Sequence, residues 1–216
     1  MLKCENIHKK YGDLHILKGI SLEVKPSEIV AIVGSSGAGK TTLLQILGTL
    51  DQPNEGTLEI SETDVNRLNN KQLSKFRNQD IGFVFQFHQL LPEFTAIENV
   101  CIPGFIGKRN KKEVKSRAKE LLDYLGLQDR YDHKPSQLSG GEKQRVAVAR
   151  ALINSPKIVF ADEPSGNLDS ENSRELYQLF DQIRKDFGNS FVIVTHDVEL
   201  SNLADRKIII SDGKLV

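Results

Sequence analysis

Residues Ile29-Val30-Ala31-Ile32-Val33 run directly into Gly34-Ser35-Ser36-Gly37-Ala38-Gly39-Lys40-Thr41, and these lead into Thr42-Leu43-Leu44-Gln45-Ile46-Leu47. An unbroken β-branched run of this length suits a strand buried on both faces of a parallel sheet. The intervening residues have the spacing G-x-x-x-x-G-K-[ST], here in the strand, loop, helix context that gives it meaning. Glycines let the backbone curl until successive N–H groups converge on phosphate oxygens, and the helix N-terminus adds partial positive charge. Lys40 would bridge the β- and γ-phosphates, and the Thr41 hydroxyl would ligate Mg²⁺. The candidate phosphate-binding residues are therefore Gly34, Ser35, Ser36, Gly37, Ala38, Gly39, Lys40 and Thr41, with Thr42 opening the helix. A chain built round this loop is expected to be α/β, a P-loop NTPase with a mainly parallel core sheet.

The remaining patterns fill in that frame. Leu2, Cys4 and Asn6 alternate with polar neighbours, as do Ile20, Leu22 and Val24 beyond the Tyr11-Gly12-Asp13 turn, so the chain opens with strands. Lys157–Ala161 and Ser190–Thr195 read as further buried strands. Leu176, Leu179, Phe180, Ile183 and Phe187 recur at helical spacing between them, the signature of a βαβ unit. From Leu90 to about Leu152 no β-branched run occurs. Val114, Ala118, Leu121, Leu122 and Leu125 form a helical stripe there, with Gly126 as its stop. The expected layout is one domain over 1–216, with a core at about 1–89 and 155–216 and an inserted helical lobe at about 90–154.

Composition excludes several classes. The 29 basic and 29 acidic side chains give no net charge, hence no general attraction to nucleic acid or an anionic membrane. No apolar run approaches the roughly 20 residues needed to span a bilayer, and charges at Lys3 and Glu5 interrupt any apolar leader. Cys4 and Cys101 form no metal-spaced pair, which fits a reduced, cytoplasmic compartment. The basic run from Lys108 to Lys119 lies on the polar side of the Val114–Leu125 stripe and lacks interleaved aromatics, so it reads as solvated surface. His8, His15, His88 and His133 show no metal-ligand spacing.

Other candidates sit at strand ends. The Lys157–Ala161 strand delivers Asp162-Glu163, one acid to hold Mg²⁺ and one to polarise an attacking water. Gln86 follows Ile81–Phe85 and could ligate Mg²⁺ or water; His196 follows Ser190–Thr195 and could reach a γ-phosphate. Polar side chains at the carboxyl ends of parallel strands line the crevice where such folds bind ligands. Leu138-Ser139-Gly140-Gly141-Glu142 opens another helix, as a capped start with Ser139 and Glu142 in a capping box, as a second anion-binding N-terminus, or as both.

The order Tyr11, Gly34–Thr41, Gln86, Leu138–Glu142, Asp162-Glu163, Asp169, His196 resembles the ATP-binding cassette (ABC) family over essentially the whole chain. The resemblance implies a nucleotide-binding domain with an N-terminal antiparallel β subdomain beside the parallel core. It implies Tyr11 stacking on adenine, Gln86 as the Q-loop, Ser139, Gly140, Gly141 and Glu142 as the signature, Asp169 as the D-loop and His196 as the switch histidine. The cofactors would be ATP and Mg²⁺, with Thr41, Gln86 and Asp162 as metal ligands and Glu163 and His196 as catalytic residues. Two copies would enclose two ATP molecules, each held by one phosphate loop and the partner's signature. The homodimer would drive integral-membrane permease subunits from the cytoplasmic face of the inner membrane, with no nucleic-acid partner.

Phe85–Val100 and Ala161–Asp169 are similar to the corresponding stretches of lipoprotein-releasing ATPases of the LolD type, the second also to the MacB type. Ser165 stands where that group suggests threonine, and Ala38 and Thr41 where it suggests serine. The implied function is powering lipoprotein release. The alternatives are a cell-division ATPase of the FtsE type, acting on cell-wall enzymes, and a MacB-like exporter.

Overall fold

The structure, a computed structural model, describes residues 1–197 and 201–216. Two sheets form it. The larger has six strands: β3 (Ile29–Val33), β6 (Ile81–Phe85), β7 (Ile158–Asp162), β8 (Ser190–Val194), β9 (Arg206–Ser211) and β10 (Lys214–Leu215), in the order β10-β9-β3-β8-β7-β6. All pairings are parallel except β10 with β9. The smaller sheet is antiparallel, ordered β2-β1-β4-β5 and built from β1 (Leu2–Tyr11), β2 (Leu14–Val24), β4 (Glu55–Ile60) and β5 (Thr63–Asp64).

The continuous β-branched runs do what a strand buried on both faces requires. Along β7 and β8, Val159, Ala161, Phe191 and Ile193 face one core with the helices α4 (Lys111–Tyr124), α5 (Gly140–Leu152) and α6 (Ser170–Phe187). Ile158, Phe160, Val192 and Val194 face the other, shared with α1 (Lys40–Leu47) and the antiparallel sheet. Period-2 alternation thus assigns successive residues of one apolar strand to two different cores.

Between β6 and β7 the described chain forms no strand. α3 (Ala96–Ile106), α4 and α5 pack on one another, and Val114, Ala118, Leu121 and Leu122 are the buried face of α4. Gly126, at φ 72°, follows its C-cap as the stripe suggested.

The sequence patterns differ from the structure in three details. Asn6 is exposed, because a bulge at φ 52° breaks the β1 alternation and Ile7 turns inward instead. Asp162 lies inside β7 while Lys157 precedes it. Phe187 is 40% exposed and meets the Tyr124 ring edge-on at 5.1 Å.

The C-terminal hairpin closes the end of the fold that carries the Gly34–Thr41 loop. Lys18 N donates to the Gly213 carbonyl at 2.8 Å and Gly213 N donates to the Ala38 carbonyl at 3.2 Å, stitching β2, the hairpin turn and the phosphate loop together. Gly213 has φ 75°, and a Cβ there would run into the Ile16 carbonyl. Gly213→Ala is therefore expected to cost about 2 kcal/mol or more, lowering Tm by roughly 4–8 °C for a chain of this size. A thermal melt checks this; an unchanged Tm would show that the hairpin yields without cost.

Candidate functional site

The phosphate loop leaves β3 and turns into α1 through Gly37 at φ 78° and Gly39 at φ 102°. Gly39 is required twice, because a side chain would be strained at that φ and its Cβ would lie 2.9 Å from Leu17 Cδ2. Lys40 is 9% exposed, and its ammonium donates to the Gly34 and Ser35 carbonyls, both at 2.9 Å. A cation is thereby held against the loop that leads into the N-terminus of α1.

Parallel pairing brings the carboxyl end of β7 beside this loop. Thr41 Oγ1 donates to Asp162 Oδ1 at 3.3 Å across 121 residues of sequence. Burial raises the Asp162 carboxyl above its ordinary value, partly offset by Thr41 and the Lys40 charge, while neighbouring Glu163 pushes the same way as burial. A half-buried carboxylate and a hydroxyl in contact beside Lys40 form a hard-oxygen donor set that suits Mg²⁺.

The chain then bends sharply. Glu163 takes φ 46°, a left-handed conformation uncommon outside glycine, and its N–H donates to the Val194 carbonyl at 2.9 Å. This turn swings the second carboxylate toward the tip of β8. There Glu163 Oε2 meets His196 Nδ1 at 2.8 Å and accepts from the His196 backbone N–H at 3.3 Å. The Glu163 carboxylate can only accept, so this contact orients the imidazole with Nδ1 as the donor. The His196 side chain is 72% exposed and Glu163's only 18%. The pair can hold a water against a shielded base on one side and present an exposed imidazole to an incoming phosphate on the other.

Gln86 follows β6, and β6 pairs with β7 so that Phe85 lies opposite Asp162. Its side-chain amide lies against Gly166, where any Cβ would come within 2.6 Å of Gln86 Nε2, and its backbone carbonyl accepts from Asn167 Nδ2 at 2.9 Å. Its side chain makes no hydrogen bond to Thr41 or Asp162 in the described contacts. The segment beyond it is anchored to α5, with Arg150 donating to the His88 and Gln89 carbonyls at 2.7 and 2.5 Å. Farther on, the buried Asn99 amide donates to the carbonyls of Leu91, Phe94 and Thr95 and accepts from Leu91 N, fixing a loop whose Phe87, Leu91 and Phe94 remain exposed. Such fully satisfied buried amides rigidify the backbone they staple.

Ser139 and Glu142 form the capping box reciprocally: Glu142 N donates to Ser139 Oγ at 3.2 Å, and Ser139 N donates to Glu142 Oε2 at 2.8 Å. Arg130 completes the cluster at 2.7 Å from Glu142. Gly140 and Gly141 pack beside Leu168 and Asn172, and Asn172 is bonded through both its backbone and side-chain N–H to Asp169, the N-cap of α6. Among the described residues, no hydrogen bond or ion pair joins Ser139–Glu142 to the phosphate loop. The structure therefore forms two separate groups: Lys40, Thr41, Asp162, Glu163 and His196 in one, and Ser139, Gly140, Gly141, Glu142 and Asp169 in the other.

Tyr11, at the end of β1, is 49% exposed. Its hydroxyl donates to Asp51 Oδ2 at 2.6 Å, and the Thr42 side chain approaches the same phenol. The sequence reading overlooked Asp51 and its partner Lys9. No local pattern marks them, because they meet the tyrosine only through the fold.

Comparison with known proteins agrees with this geometry. The family model described as ABC transporter matches residues 17–166. The chain is 60% identical, over the full length of both chains, to a Bacteroides fragilis protein named lipoprotein-releasing system ATP-binding protein LolD. It is 58% identical to a Cytophaga hutchinsonii protein of the same name, covering 100% of this chain and 99% of that one. Among solved structures, a dimeric ATP-binding cassette in a post-hydrolysis state with ADP and Pi matches with TM-score 0.90 and 41% identity, over 100% of this chain and 96% of that one. With a phosphate loop facing paired acids across a parallel sheet, and these full-length similarities, the chain belongs to the ABC transporter family and is an ATP-binding, ATP-hydrolysing cassette.

Proposed function

We propose that this cassette is the ATP-hydrolysing subunit of a lipoprotein-releasing transporter, working as a homodimer with integral-membrane permease subunits at the cytoplasmic face of the inner membrane. The full-length identity of 58–60% to proteins named for lipoprotein release carries this reading. No helix among the described residues is long and apolar enough to cross a membrane, so the membrane-spanning part is assigned to the partners.

The loop amides, Lys40 and Ser35–Gly39 bind the phosphates, and Tyr11 carries the base. Thr41, Asp162 and Gln86 would hold Mg²⁺, which would supply positive charge to offset that of the phosphates. Glu163 orients water and takes its proton, with His196 holding that carboxylate through Nδ1 and presenting its exposed ring to the γ-phosphate. The separation of Ser139–Glu142 and Asp169 from the phosphate loop supports dimerisation, because the second anion-binding N-terminus is then free for the nucleotide of a partner copy. The exposed Phe87, Leu91 and Phe94 support a docking surface for the permease, and Gln89 of the same segment lines a groove with Arg77, Phe83, Pro103 and Ile106.

The test is recovery of partners from detergent-solubilised membranes by the Glu163→Gln variant with ATP, identified by mass spectrometry. Permease subunits recovered together with lipoproteins are the expected result. Recovery of a division-site membrane protein in their place would replace lipoprotein release with the cell-division reading.

A further inference from the structure

The chain leaving α1 folds back over the end of β1 and is bonded to it five times. Lys9 Nζ donates to Asp51 Oδ1 and to the Gln52 carbonyl, both at 2.7 Å. Lys10 N donates to Asn54 Oδ1 at 2.7 Å, and Asn54 N donates to the His8 carbonyl at 2.8 Å. Lys9 is only 8% exposed, a burial lysine accepts only when paired. Its ammonium also lies over the Tyr11 ring, 4.9 Å from the centroid. The other Asp51 oxygen takes the Tyr11 hydroxyl at 2.6 Å. Burial pushes the Asp51 carboxyl up, but Lys9, Tyr11 and the Gln52 N–H together outweigh it and hold it below its ordinary value. The carboxylate is thus ionised and engaged on both oxygens at neutral pH.

We propose that Lys9 and Asp51 are positioning residues that lock the Tyr11 ring relative to the phosphate loop, so that the purine base of a bound nucleotide meets a platform already in place. The inference rests on the reading of Tyr11 as the base-stacking residue. α1 carries Lys40 and Thr41 at its first turn and releases the chain to Asp51 after its last, so one rigid element references both the phosphate contacts and the aromatic ring. A free tyrosine at the end of a strand would lose rotamer freedom on binding; one tied at its hydroxyl and covered by a cation has already lost it.

The test compares Mg²⁺-ATP with Mg²⁺-tripolyphosphate, which carries the phosphates and no base, by titration calorimetry. Tyr11→Phe removes only the hydroxyl and leaves the Lys9–Asp51 pair intact; it is expected to weaken ATP about fivefold. Asp51→Asn is expected to weaken ATP about tenfold, and neither variant should change tripolyphosphate affinity. If Asp51→Asn fails to fold because Lys9 is left buried without a counter-charge, Tyr11→Phe decides alone. Wild-type ATP affinity in both variants, or equal losses for ATP and tripolyphosphate, overturns the proposal. Tyr11→Ala separates the two layers. Unchanged ATP affinity in that variant removes the stacking role itself. A loss there, with Tyr11→Phe and Asp51→Asn unaffected, keeps stacking and removes the positioning.

Discussion

Glu163→Gln is expected to lower the rate of ATP hydrolysis by about 10²–10⁴-fold while ATP still binds. The amide has the size of the carboxylate and can still accept from the His196 backbone N–H, which Glu163 Oε2 meets at 3.3 Å. It cannot take a proton from water. Because the side chain touches His196 and lies apart from Lys40 and the loop amides, the phosphate contacts stay intact and only the chemical step suffers. The bound nucleotide should then hold two copies together, so gel filtration with ATP should show a stable dimer that the wild-type protein loses on hydrolysis. Single-turnover kinetics give the comparison; hydrolysis at the wild-type rate would remove Glu163 from the catalytic role and leave Asp162 as the remaining acid of the site.

Lys40→Ala is expected to weaken ATP binding by about 10²–10⁴-fold. A lysine that bridges two phosphates contributes two charge-assisted hydrogen bonds, worth roughly 1.5–3 kcal/mol each, and each 1.4 kcal/mol is about tenfold in affinity. The ammonium now donates to the Gly34 and Ser35 carbonyls, so binding exchanges protein acceptors for phosphate oxygens of higher charge. Titration calorimetry with ATP measures the loss, and a thermal melt of the ligand-free variant separates it from collapse of the loop. Unchanged affinity in a folded variant would mean that the phosphates lie elsewhere.

Both predictions concern residues that stand out in the sequence, and the reason is local. A phosphate loop consists of consecutive residues whose φ angles and N–H directions are set by their own glycines, so Gly34–Thr41 is legible as a string. Doubly buried strands are legible because both faces need apolar side chains, as at β3, β7 and β8. Helices with one apolar stripe, such as α4 and α6, are legible for the same reason. The elements missed lack such a mark. α2 (Asn70–Asp80) buries no residue and carries no stripe. β4 offers only Leu58 and Ile60 to the core, and β9 exposes Ile209 between Ile208 and Ile210.

The phosphate loop and the capped start of α5 are legible in the string because each follows from neighbours within about four positions, and the α/β class is legible because apolar periodicity switches between strand and helix along the chain. Which distant residues touch is set by how the elements pack. Thr41 reaches Asp162 and Glu163 reaches His196 because parallel pairing aligns the carboxyl ends of β3, β7 and β8. Gln86 rests on Gly166 because β6 pairs with β7, which places Phe85 opposite Asp162 and Gln86 beside the turn that follows β7. Lys9 and Asp51 clasp Tyr11 because the chain leaving α1 returns to β1. Side-chain periodicity fixes which face a residue occupies, whereas the neighbour it meets there depends on strand order and register, and these are set by packing over the whole chain.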